Sequence, residues 1–175
     1  MTEMPDHQDG KGRGACGLFG LACGVVAPNF LSRIVTTPRR NNMEYVIGFV
    51  SAVGVGLFAS VIGFDKERSF YPVVLIVIAT LYLLFAAMAK STGSLVAEAI
   101  PALVFVAMAA LGFRKTPWLV VAGLALHGVF DFFHHAVIAN PGVPVWWPGW
   151  CLAYDVVAAA YLAALIFIRR TSRAA

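Results

Sequence analysis

Residues 118–138 read WLVVAGLALHGVFDFFHHAVI, and this stretch decides the fold class. A helix needs about 20 apolar residues to cross a bilayer, and this run supplies them. It also carries His127, Asp131, His134 and His135. The rest of the chain has the same apolar character. Hydrophobic residues make up 60% of the 175 and charged residues 13%, with a mean hydropathy of +0.80. Soluble domains carry about 25% charged residues, so a water-soluble domain is excluded. The same apolar content excludes intrinsic disorder. Three cysteines, an odd and scattered count, exclude a disulfide scaffold.

Four more apolar runs, at 44–64, 71–89, 94–113 and 148–168, join the first one. The expected fold is all-α, a polytopic membrane bundle of five transmembrane helices. Residues 15–36 form a rival sixth, poor span. The expected organisation is a disordered or interfacial extension over 1–42, the bundle over 43–170 and a cytoplasmic tail over 171–175. Lys66, Arg68, Arg114, Lys115, Arg169, Arg170 and Arg173 fall on one side of such a bundle, and Lys90 on the other. The positive-inside rule then places the C-terminus in the cytoplasm and the start of the first span outside, in a bacterial inner membrane. Residues 1–42 bring further basic residues to the outer side, whereas the sequence from Met43 onward obeys the rule. An over-long start is one account of them. The net charge of +4 does not signal nucleic acid, because the basic residues sit in loops and tails without interleaved aromatics.

Gly48, Ala52, Gly56 and Ser60 recur every four residues on the first span. Small residues on one stripe let helices approach closely in lipid. The stripe is expected to serve packing, and it is also the expected face for a homo-oligomer.

Ionisable residues inside spans are functional candidates by default, because each costs about 2.5–3.5 kcal/mol to insert. At about 100° per residue, His127, Asp131 and His134 share one narrow face, and His135 lies about 80° away. The face extends over about 10 Å at the helical rise. Asp131, Asp155 and Glu98 all sit about 6–10 Å from the same membrane boundary when converted at that rise. Imidazole with carboxylate suits Zn or non-haem Fe. The expected metal ligands are therefore His127, Asp131, His134 and His135, with Glu98 and Asp155 as catalytic acid–base groups. A buried hydrogen-bond network and a proton or ion pathway are the competing accounts.

Sharper alternatives are weak. Di-iron desaturases carry many histidine boxes, whereas this chain has four His in all. A bis-His haem needs ligands on facing sides, and every membrane histidine here lies on one helix. Ser91 and Ser94 precede Glu98, but nothing places either beside a histidine. Cys151 lies one turn before Asp155 and reads as a packing residue more readily than as a soft ligand.

The pattern His127-x-x-x-Asp131-x-x-His134-His135, followed by Asn140-Pro141, Pro144, Pro148, Cys151 and Asp155, resembles a family of small bacterial membrane proteins catalogued only as a domain of unknown function. The resemblance covers roughly residues 95–165. It departs at Phe130, where the family commonly has Trp, and at Trp146-Trp147-Pro148-Gly149-Trp150, where it is Ser-rich. A family glutamate would correspond to Glu98. The resemblance implies a shared site and brings no activity.

Two functions from different classes follow. One is a metal-dependent or acid–base membrane enzyme, a hydrolase or oxygenase, acting on a lipid-like substrate from the membrane. Phe130, Phe132, Phe133, Trp146, Trp147 and Trp150 would line an apolar approach. The other is a proton-coupled or metal-ion carrier, weakened by the lack of an inverted repeat. An accessory subunit of a membrane complex would use the small-residue stripe and would leave the buried acids unexplained.

Overall fold

The structure, a computed structural model, describes residues 42–174. The expectations for residues 1–41, the rival span included, lie outside the described residues. Five long helices follow one another: α1 (Met43–Ile62), α2 (Phe70–Met88), α3 (Thr92–Arg114), α4 (Trp118–Val137) and α5 (Trp147–Ala174). A 3-10 turn, Phe64–Lys66, links α1 to α2. All five helices are long and apolar enough to cross a membrane, and no strand occurs among the described residues. The chain is an all-helical, multi-pass membrane protein.

Local chemistry sets the helix ends. Gly63 stops α1 in the left-handed conformation, at φ 85°, where a Cβ would be strained. Ser91 caps α3, its Oγ accepting from the Ser94 N–H at 3.4 Å. After Ile168 nothing breaks the backbone, so α5 continues through the polar residues to Ala174.

The packing order is α1 on α5, α5 on α4, α4 on α3 and α3 on α2. The small-residue stripe of α1 faces α5 within the same chain. Gly48, Ala52 and Gly56 are buried there, and Ser60 Oγ lies 2.7 Å from the Tyr161 hydroxyl. The surface expected to meet a second copy is therefore already covered, because α5 has taken it. A Cβ at Gly48 would collide with the Trp150 carbonyl, whereas one at Gly54 meets nothing within 4 Å. Gly48→Val should thus lower stability by about 1–3 kcal/mol through overpacking. Gly54→Ala should leave it unchanged or slightly raised. Unfolding of the two variants in detergent checks this.

The burial pattern is inverted relative to a soluble domain. Phe58, Leu103 and Phe132 are each more than 60% exposed, while Glu98, Asp131, His134 and Asp155 are at most 1% exposed. Hydrocarbon is the solvent that such a surface fits. At one end of the bundle Asp65 pairs with Arg169, Oδ2 to Nη2 2.9 Å, tying the α1–α2 connection to the end of α5. Below the polar centre, on the side toward that basic end, Leu75, Ala109, Val120 and Leu124 form a fully apolar layer.

Candidate metal centre

The centre begins with an i, i+4 pair on α4. His127 and Asp131 are one turn apart, so both side chains leave the same face. α5 brings Asp155 against them. His127 Nδ1 lies 2.7 Å from Asp155 Oδ2 and 3.2 Å from Asp131 Oδ2. The two helices also meet at Gly128, where an added Cβ would stand in ordinary contact, 3.4 Å from the Asp155 Cβ and from the Leu152 carbonyl. The remaining oxygen of Asp131 accepts from the Tyr82 hydroxyl of α2 at 2.6 Å. One histidine and two carboxylates thus offer ligand atoms within 4.8 Å of one another.

A second group sits nearer the α4–α5 loop. His134 Nε2 lies 2.7 Å from Glu98 Oε1. Asn140 donates through Nδ2 to the same Glu98 oxygen at 3.0 Å and to the Tyr82 carbonyl at 3.1 Å. Ser94 Oγ donates to the Ala139 carbonyl at 2.8 Å, holding the loop over α3. Tyr82 joins the two groups. Its hydroxyl serves Asp131, and its ring stacks on His134 at 4.1 Å between centroids.

The structure therefore redistributes the expected ligands. His127 and Asp131, expected as metal ligands, lie side by side, and Asp155, expected as an acid–base group, lies against both. His134 does not join them. Seven residues of helix separate it from His127, about 10 Å at the helical rise, and it turns to Glu98 instead. Glu98 is correspondingly a partner of His134 rather than a free base. His135 is exposed, with its ring edge-on to His134, and lies outside the buried groups because its face of α4 turns away from the bundle. Phe132 and Phe133 also face outward. Phe130 packs edge-on against Tyr82 and His134, so the aromatics do not form one continuous approach. Ser91 and Ser94 bond each other, and Cys151 belongs to the apolar core.

Sequence reasoning missed Tyr82 and the role of Asn140 beyond its turn. A signal existed for Tyr82. A tyrosine twelve residues into α2, at the same depth as the buried acids, is expected to find a hydrogen-bond partner inside the bundle.

Three carboxylates and two imidazoles are buried together. Such a cluster keeps excess negative charge unless a proton or a cation neutralises it. A divalent cation held by a neutral His127 and two ionised aspartates, Asp131 and Asp155, would leave no net charge there. Zinc bonds of about 2.0–2.2 Å hold tetrahedral ligand atoms about 3.3–3.6 Å apart, so the 3.2 Å pair comes close and the 2.7 Å pair, at hydrogen-bond distance, would have to open by about 0.6–0.9 Å. Asp155 Oδ1 and His127 Nε2 have no hydrogen-bond partner among the described residues.

No family model, no curated protein and no solved structure matches this chain.

Proposed function

We propose that this chain is a membrane-embedded metalloprotein whose divalent ion is held by His127, Asp131 and Asp155. In this reading the ion serves metal-dependent hydrolysis of a lipid-like substrate. One observation carries it: a histidine and two aspartates from two helices, all three buried, converge on one point. Three protein donors leave a coordination position open, as catalytic zinc sites do. Zinc fits better than oxygen-activating iron, because the two-histidine facial triad would need His134, which Glu98 holds at 2.7 Å. Tyr82 acts as the outer donor that orients Asp131. Glu98 and His134 form a second buried pair that packs against the Tyr82 ring.

The test is metal content. Protein purified from native membranes should hold about one equivalent of Zn or Fe and lose stability on chelation. Protein without metal, indifferent to chelator, removes the proposal. Tyr82→Phe keeps the ring on His134 and deletes only the donor, so metal affinity should drop by about 10–100-fold. His135→Ala should leave it unchanged. Competition with a zinc chelator reads both.

The rival reading is a proton or metal-ion carrier. The two polar groups, Asn140–Glu98–His134 and Asp131–His127–Asp155, would suit separate stations in the first half of a path. The apolar layer of Leu75, Val120 and Leu124 stands across its continuation. A liposome flux assay decides: wild-type flux abolished by His127→Ala would favour the carrier.

A further inference from the structure

A second chemistry lies at the opposite, basic end, independent of the metal reading. A cavity of about 420 Å³ opens there between the α1–α2 connection, the starts of α2 and α4, and the end of α5. Its polar rim carries Lys66, Arg68, Arg169 and Arg170, with Asp65 and Glu67. Asp65 is occupied by Arg169 at 2.9 Å. The rim as a whole keeps an excess of two positive charges. Its inner wall is apolar, built from Pro72, Val120, Leu162 and Ile166.

Two of the residues that line this cavity each carry a buried polar atom without a hydrogen-bond partner among the described residues. The Tyr71 hydroxyl is a donor, on a side chain 6% exposed. Asp65 Oδ1 is an acceptor, on a side chain 8% exposed. The first turns of α2 and α4 end at the same cavity, through Tyr71 and Pro117. Helix N-termini add partial positive charge.

We infer that this cavity binds the phosphate of an anionic phospholipid. The rim cations and the Tyr71 hydroxyl take the phosphate oxygens, Asp65 Oδ1 accepts from a headgroup hydroxyl, and the chains lie along the apolar wall. Basic pockets between transmembrane helices bind anionic headgroups by this combination of charge and hydrophobic wall. Phosphatidylglycerol carries both the phosphate and the hydroxyls. A free phosphate would share the charge recognition and leave the apolar wall unused.

The probes are dioctanoyl phosphatidylglycerol, dioctanoyl phosphatidylcholine and sodium phosphate, added to the full chain in non-ionic detergent. Binding is read by native mass spectrometry and by the thermal transition. Phosphatidylglycerol should bind saturably and at least about tenfold more tightly than phosphatidylcholine. The paired change Lys66→Gln and Arg170→Gln, both at exposed positions, should weaken it by about tenfold or more, as expected when charge-assisted hydrogen bonds are lost. Tyr71→Phe should weaken it severalfold without lowering the thermal transition of the lipid-free protein. A hydroxyl that is merely orphaned would behave differently: its removal would leave binding unchanged, and that result overturns the assignment. Equal binding of the two lipids overturns it as well. Displacement of phosphatidylglycerol by millimolar phosphate would give the site to a free phosphate and overturn the lipid assignment. Failure to displace supports it.

Discussion

Asp155→Asn is expected to remove the ion proposed for the centre, leaving less than about a tenth of the wild-type metal after purification. Asp155 supplies one of three donors and makes the shorter of the two contacts to His127, 2.7 Å against 3.2 Å. Loss of an outer-sphere donor already lowers metal affinity by about 10–100-fold, and loss of a direct ligand should exceed that. Stability should fall by about 3–5 kcal/mol, the usual effect of breaking a buried charge pair. Asp155→Glu keeps the charge and should recover part of the metal. Metal analysis and unfolding on the same preparations give both numbers. The outcome also separates an ion from a proton. If the carboxylates only share a proton with His127, the substituted amide can accept from the imidazole N–H. Stability would then stay near that of the wild type, and neither protein would carry metal.

The second large effect concerns the His134–Glu98 pair. Both side chains are fully buried, at 2.7 Å. Glu98→Leu alone should destabilise by about 3–5 kcal/mol, because it leaves a buried imidazole and the Asn140 amide facing a methyl group. Combining it with His134→Leu should recover a large part of that loss, since buried ion pairs replaced together by apolar residues are often neutral. Recovery will be incomplete because Asn140 Nδ2 still lacks its Glu98 acceptor and keeps only the Tyr82 carbonyl. A double-mutant cycle by unfolding in detergent measures the coupling. Additive losses would show that the two side chains do not act as a pair. Metal content should persist in the double variant, which places this pair outside the coordination sphere.

The spans were legible because run length against bilayer thickness is a strong signal. Their ends shifted by a few residues, each for a local reason. α1 stops at Ile62 because Gly63 turns left-handed. α3 starts two residues early, at Thr92, because Ser91 caps it. α5 passes its expected end because no breaker follows Ile168. The centre was legible where one helix carries it: the 100° rule put His127 and Asp131 together, and the shared depth pointed to Asp155 and Glu98. What the sequence could not convey was the pairing across helices. Whether His134 meets Asp131 or Glu98 depends on how far α3 stands from α4 and on the rotation of both. Tyr82 escaped because it is one of three hydroxyl residues on an otherwise apolar helix, with Tyr71 and Thr80, and residue type alone does not single it out.

The buried centre also constrains how the chain is made. α4 is the least apolar of the five helices, with a window hydropathy of 1.4 against 2.1–2.4 for the others. Its His127 gains its shorter contact only from Asp155, on the helix that follows it. Before α5 follows, α2 offers the Tyr82 hydroxyl to Asp131 and α3 offers Glu98 to His134, but His127 has only Asp131, one turn along its own helix. A nascent chain ending after residue 140 should therefore let α4 slip from the bilayer, whereas the full α4–α5 hairpin enters as one unit.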